Sequence, residues 1–238
     1  METLNASLLQ ASKRGHLSVV QELLDRTISP NNTDSITGCN AVHMAAQFGH
    51  SDIVDLLIRS ESNNSATLNA YNQDNYNPLQ LAAAGGYIHI GKVAERTQLL
   101  LTAKDYDGYT ALHLAAKFGH LDVVRLITTA GNASAVVDAT GPEAYRPLHF
   151  ASESGYYDIV RHFIETKVSP NQVNSDGATP LQVAIESKDH SKVVTALIEG
   201  GASTELLAGG LNKTPLYLAV EKDRIQSVQA ILAMGKNE

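Results

Sequence analysis

The residues able to catalyse a reaction or hold a metal are nine histidines, one cysteine and a scatter of carboxylates. A structural zinc site needs four such ligands at characteristic spacings. The histidines do not supply them. His43, His113 and His149 share one recurring context, each placed just ahead of an Ala-Ala or Ala-Ser pair. His16, His50 and His120 share another, each directly after a glycine. His89, His162 and His190 are scattered, with no ligand-like spacing to Cys39 or to a carboxylate. Cys39 precedes His43 closely enough to suggest a thiol activated by an imidazole. Yet Cys39 follows Gly38 in a turn, and His43 belongs to a recurring slot. Gly85-Gly86 and Gly209-Gly210 lack the strand context and lysine of a phosphate-binding loop. Asp105 and Asp107 stand in a turn, where Asp is favoured for backbone reasons alone. No catalytic residue, metal site or cofactor is expected.

The recurrence itself defines the elements. The glycine of the Gly-His pair serves as a ruler, falling at Gly15, Gly49, Gly86, Gly119 and Gly155. Lys188 and Asp223 occupy the next two equivalent positions. The intervals are 34, 37, 33, 36, 33 and 35 residues, a period that leaves little room for any architecture but a stack of repeats. Thr179-Pro180 and Thr214-Pro215 open helices, Thr as a cap and Pro at the first helical position. Asn77-Pro78 and Arg146-Pro147 are variants, and Asn40-Ala41 and Thr110-Ala111 lack the proline. Paired alanines (Ala45-Ala46, Ala82-Ala83, Ala115-Ala116) let neighbouring helices approach. Glycine then ends the first helix in a left-handed conformation. A second helix follows at helical spacing, as in Leu121, Val124 and Ile127. Turn-rich segments such as Asn72 to Asn75 and Asp105 to Gly108 link one pair to the next.

These residues resemble the ankyrin-repeat family, whose pattern is roughly D-x-x-G-x-T-P-L-H-x-A-A-x-x-G-H. The stretch DYDGYTALHLAAKFGH from Asp105 to His120 matches at nearly every fixed position. The resemblance covers nearly the whole chain. It implies an all-α solenoid of helix-turn-helix units with projecting hairpin or loop fingers. One domain over 1–238 is expected, in units near 4–34, 35–70, 71–103, 104–138, 139–173, 174–206 and 207–238. The first and last would act as caps or truncated ends. The resemblance also implies that the motif histidines bond neighbouring backbone and tie repeats together. Units six and seven depart from the pattern, with Lys188-Asp189 and Asp223-Arg224 in place of Gly-His. The long linker 131–145 and the Gly-rich stretch 201–213 depart from a tight hairpin and are candidate functional fingers.

In the family the free positions of the concave face flank the hairpin glycine and follow the Ala-Ala pair. Read in that register, Tyr76, Tyr109 and Tyr145 hold one slot in consecutive repeats, flanked by Phe48, Tyr106 and Phe118. Asp74, Asp107, Glu143, Glu153 and Asp176 interleave with them. Exposed Tyr is a favoured interface anchor, burying much area with few rotors. The expectation is a concave aromatic-acidic groove for a protein or peptide partner with apolar and Lys/Arg groups. The competing reading has these tyrosines packing on their own hairpins and stiffening the array.

Composition agrees with a repeat stack. Hydrophobic residues make up 43% of the 238 and charged residues 18%, enough for a core, while aromatics are only 5% and Trp is absent. Asp and Glu outnumber Lys and Arg, 25 to 18, for a formal charge of -7, which argues against a nucleic-acid partner. A single cysteine excludes an internal disulfide and suggests a reducing compartment. The N-terminus reads as no secretory leader, and no apolar run is long enough for a membrane span. A cytoplasmic monomer with no membrane insertion is expected. The leading reading is a protein-interaction scaffold without enzymatic activity. The alternatives are the N-terminal targeting region of a larger protein, or a microbial effector engaging host proteins. The apolar last helix, with Ile231, Leu232 and Met234, favours the first alternative, since a terminal repeat normally has a polar outer face.

Overall fold

The structure is a computed structural model that describes residues 2–60, 68–88, 98–129, 136–207 and 213–234. His89, Gly209, Gly210, residues 131–135 of the 131–145 linker and residues 208–212 of the 201–213 stretch lie outside the described residues. Among the described residues the regular elements are helices.

Each repeat follows one local plan. The residue before the first helix is extended, and where it is Asn or Thr its side chain accepts a backbone N–H of the first turn. Asn40 accepts from His43 at 3.0 Å, Asn77 from Gln80 at 2.9 Å, and Thr179 from Gln182 at 3.3 Å. Pro78, Pro147, Pro180 and Pro215 stand in the first turn, where the missing N–H costs nothing. The alanine pairs are buried, so two backbones come close. The left-handed stop at Gly155 (φ 78°) has a second cause: a Cβ there would lie 2.4 Å from the His190 ring. Each second helix is amphipathic. Ile159, Val160 and Phe163 point inward and are buried, while Asp158 and Arg161 face water. Burying a side chain of that size contributes about 1.5–3 kcal/mol.

The chain forms two compact units, Met1–Val136 and Val137–Glu238. In the first, the inner helices α1 (Glu2–Arg14), α3 (Ala41–Gln47), α5 (Pro78–Gly85) and α7 (Ala111–Phe118) pack in sequence. The outer helices are α2 (Leu17–Asp25), α4 (Ser51–Ser60) and α8 (Leu121–Thr129), with a short α6 (Gln98–Leu101) between α5 and α7. In the second unit, α9 (Pro147–Ser154), α11 (Pro180–Ser187) and α13 (Pro215–Glu221) form the inner row. The outer row there is α10 (Tyr157–Glu165), α12 (Ser191–Glu199) and α14 (Ile225–Met234).

One sequence expectation needs correction. His190 is not scattered. Its Nε2 donates to the Glu153 carbonyl at 3.1 Å, as His50 does to Lys13 (3.0 Å) and His120 to Ala84 (2.9 Å). The sixth repeat carries one extra residue, so its tying histidine stands after Lys188-Asp189 rather than within that pair. In the seventh, Asp223 adopts the glycine's positive φ (54°). Arg224 then takes the histidine's part, donating to the carbonyls of Ile185 and Ser187 at 3.3 Å each.

The fingers are tight turns, with no β-strand among the described residues. Three of them are closed by one Asp or Asn oxygen. Asn72 Oδ1 accepts from Tyr76 N, Asp105 Oδ1 from Tyr109 N, and Asn174 Oδ1 from Ala178 N, all at 2.8 Å. Neighbouring tips join backbone to backbone: Gln73 N–H to Thr37 at 2.9 Å, and Ser175 N–H to Glu143 at 2.8 Å. In the finger at Pro142–Ala144, Glu143 and Ala144 both have positive φ (52° and 55°), a cost usually avoided with glycine.

Candidate interaction surface

The candidate residues sit on the fingers and at the ends of the inner helices. In the first compact unit, Tyr76 closes the finger that begins at Asn72 and is half-buried. Burial raises its pKa, helped by the carboxylates of Asp105, Asp107 and Asp74 around it. Tyr109 is half-buried too. Lys117 Nζ donates to its hydroxyl at 2.9 Å and lies 4.4 Å from its ring centroid, and the ring meets His113 edge-on at 6.4 Å. Tyr106, at the finger tip, is 76% exposed, and Phe118, at the end of α7, is 49% exposed. Phe48 is exposed at the end of α3, with Lys13 Nζ 5.4 Å from its ring centroid.

In the second unit, Tyr145 packs against His149 and Phe150, with ring centroids 5.3 and 5.0 Å apart. Burial pushes its pKa up to about 12, with Glu153, Glu143 and Asp176 adding to the rise. Glu143, Glu153 and Asp176 are exposed. Their backbones are structural: the Glu143 carbonyl accepts from Ser175 Oγ at 2.8 Å, and the Glu153 carbonyl from Ser187 Oγ at 2.8 Å.

In each unit three carboxylates act electrostatically on a half-buried tyrosine: Asp74, Asp105 and Asp107 on Tyr76, and Glu143, Glu153 and Asp176 on Tyr145. The five exposed carboxylates form no ion pair with a described residue. The structure divides the candidate aromatics into two kinds. Tyr106, Phe118 and Phe48 offer exposed area. Tyr109 and Tyr145 are held by their own repeats, and Tyr76 faces the carboxylates of the next.

His43 cannot serve Cys39 as a base. Its Nδ1 accepts the Asn40 backbone N–H at 3.3 Å, which leaves Nε2 to donate to the Tyr76 carbonyl at 3.0 Å. His149 repeats this with Arg146 N–H (3.1 Å) and the Ala178 carbonyl (3.2 Å). Both rings are fully buried, and burial drives both pKa values down to about 4. Cys39 is buried, with Asn72 Nδ2 at 3.5 Å from Sγ. Sequence reasoning missed that Gln80 and Gln182 fill the same slot. Each accepts from the capping residue's N–H at 2.8 Å and donates to the following repeat, Gln80 to Tyr109 O at 2.9 Å and Gln182 to Lys213 O at 3.3 Å. Their position three residues after the cap was the available signal. Among the described residues no group of His, Cys, Asp and Glu is arranged to hold a metal. No helix among them is long and apolar enough to cross a membrane.

A family model described as ankyrin repeats, in three copies, matches in overlapping placements from residue 8 to residue 238. The chain belongs to the ankyrin-repeat family, whose arrays are protein–protein interaction modules. Curated relatives include alpha-latrotoxin-Lg1a of Latrodectus geometricus, 34% identical over 51% of this chain and 9% of that protein. The probable E3 ubiquitin-protein ligase XBOS33 of Oryza sativa subsp. japonica is 32% identical over 58% of this chain and 28% of its own length. The NF-kappa-B p105 subunit of Gallus gallus is 25% identical over 92% of this chain and 21% of its own length. The chain thus spans less than a third of each of these relatives.

Proposed function

We propose that this chain is a non-enzymatic scaffold that binds a peptide or protein segment bearing apolar and Lys/Arg side chains. The contacts are the finger tips and the ends of the inner helices. One observation carries this reading: in each compact unit three carboxylates act on one tyrosine, and the exposed ones form no ion pair with a described residue. Like charges gathered around a low-dielectric ring repel one another, and an incoming ammonium or guanidinium relieves that repulsion. The chain contains its own examples of the geometry, in Lys117 over Tyr109 and Lys13 over Phe48. Tyr106 and Phe118 supply apolar area beside the charged groups. The setting is intracellular and the working state monomeric, in keeping with the single, buried, reduced Cys39.

The test is a selection from a random twelve-residue peptide display library on the immobilised chain. A parallel selection uses a variant in which Asp74, Asp107, Glu143, Glu153 and Asp176 become Asn or Gln. Enrichment of peptides combining Lys or Arg with apolar residues is expected on the native chain alone. Failure to enrich any peptide, or equal enrichment of the same peptides on both proteins, overturns the proposal.

A further inference from the structure

In the seventh repeat one face of the helix pair α13 and α14 is exposed, although the same positions are covered in earlier repeats. Val220 is 64% exposed, whereas its equivalents Ala46, Ala83, Ala116, Ser152 and Ile185 are fully buried. Tyr217 is 55% exposed, whereas His43, Gln80, His113, His149 and Gln182 in its slot are fully buried. Leu216 and Val228 are half-buried where Leu181 and Val194 of the sixth repeat are fully buried, and Leu232 is 51% exposed. In the repeats before it, each inner helix packs on the one that precedes it: α3 on α1, α5 on α3, α7 on α5, α11 on α9 and α13 on α11. The change in exposure therefore marks the side that a following helix covers. One part of that joint is missing here. His43, Gln80, His149 and Gln182 each accept their own cap's N–H and donate to a carbonyl of the next repeat. A phenol hydroxyl stands at the far end of a rigid ring and cannot return to the Thr214 N–H. The Tyr217 ring lies instead beside Lys213, whose Nζ is 5.3 Å from its centroid and pairs with Glu221 at 2.7 Å. The face keeps the apolar half of a repeat joint and lacks the polar half that seats a finger.

We propose that this face docks one amphipathic α-helix of a partner protein, laid on α13 as α13 lies on α11 and bringing no finger with it. The surface continues the joint already made between successive inner helices, so its occupant has the chemistry of those helices. Each helix seated on a preceding one carries a buried alanine: Ala45, Ala82, Ala115, Ala184 and Ala219. The partner helix accordingly presents a stripe of Ala with Leu, Ile or Met, small enough at its centre for the two axes to approach. Val220 and Leu232 give that stripe its apolar contact, and Tyr217 supplies the large anchor at its edge. A second copy of this chain is the poorer fit, because its own inner-helix alanines are already buried within it. A capping repeat with a polar outer face would need no such cover. None of the tyrosines or carboxylates of the binding reading above belongs to this face, so the proposal adds a second surface and stands apart from that reading.

The probe is a display library of sixteen-residue helical peptides, with Ala, Leu, Ile and Met varied along one stripe and Glu and Lys fixed elsewhere. It is selected on the immobilised chain. The most enriched peptide is titrated by calorimetry into the native chain and into Val220→Glu, Leu232→Glu and Asp107→Asn. Val220 and Leu232 are exposed, so both Glu variants should keep the native urea midpoint. Each should weaken binding by at least about tenfold, while Asp107→Asn, in the other compact unit, should leave it unchanged. Replacing the central stripe alanine of the peptide with Phe should abolish binding. Hydroxyl-radical footprinting should show Tyr217 and Leu232 open in the natural protein and shielded once the peptide is added. A selection that enriches no peptide overturns the proposal, and so does binding that either Glu variant leaves unchanged. Shielding of Tyr217 and Leu232 before any peptide is added also overturns it, since a second copy or a further segment of chain then occupies the face.

Discussion

Acid should loosen this protein through two buried imidazoles, and the chain carries its own control for the effect. His43 and His149 are fully buried, each with Nδ1 accepting a backbone N–H and Nε2 donating to the following repeat. A second proton would have to enter at Nδ1, against that N–H and without water. Burial accordingly lowers both pKa values from 6.5 to about 4. The sign follows from linkage. The folded pKa lies below the unfolded one, so the unfolded chain binds more protons between them. The stability of the neutral rings is fully present above about pH 6.5 and is lost as pH falls through about 4. At pH 5 an unfolded histidine is about one and a half pKa units into its charged range while the folded ring is still neutral. That amounts to about 2 kcal/mol per ring lost between pH 7 and pH 5. Gln80 and Gln182 fill the same slot with the same two-way bonding and no titration. His43→Gln and His149→Gln should therefore keep the fold. Urea unfolding of the native chain and both variants at pH 7 and pH 5, followed by circular dichroism, makes the comparison. Each variant should lose about 2 kcal/mol less than the native chain over that interval. Equal losses in native and variant chains would refute the reasoning.

Three further perturbations probe the joints between repeats. Gly155→Ala places a Cβ 2.4 Å from the His190 ring at a positive φ, and should cost at least about 1–2 kcal/mol; an unchanged urea midpoint would count against the packing described. Arg224→Ala removes both bonds to the sixth repeat and should expose α13 and α14 to faster hydrogen exchange, while Arg224→His, restoring the usual residue, should recover part of the protection. Ala144→Gly relieves a residue held at φ 55° and should leave stability unchanged or raise it by up to about 1 kcal/mol, read from the thermal midpoint. A drop would mean that the Ala144 side chain makes a contact that outweighs the strain.

Much of the fold was legible because a repeat states its rules several times. The 33-residue spacing, the Thr-Pro caps and the Ala-Ala pairs are local and periodic, so errors in one repeat are corrected by the next. The tying residue of the sixth repeat was not legible by spacing, nor that of the seventh by residue type. One added residue moved His190 out of register, and Arg224 performs the same task with different chemistry. Neither change alters the geometric demand, which is a donor that reaches the preceding repeat's carbonyls. The candidate surface was less legible than the fold. Sequence position identified which residues face outward in the family. It could not say that Tyr145 would lean on His149 and Phe150, or that Lys117 would cover Tyr109. Those outcomes depend on side-chain neighbours that vary freely between repeats. Asp105 illustrates the same limit from the other side. Its turn-closing role was evident from its type and place, but the burial of its carboxylate was not.

On the proposed reading, partner binding uses the fingers and inner helix ends rather than the outer helices. The outer rows do have grooves, one lined by Leu17, Gln21, Asp52, Leu56 and Arg59 and another by Tyr157, Lys192, Thr195 and Glu199. The most direct measurement is an NMR chemical-shift map of the isotope-labelled chain titrated with the selected basic peptide. The largest shifts are expected at residues 74–76, 105–109 and 117–118, and at 143–145, 153 and 176. Shifts confined to the outer-helix grooves would contradict it.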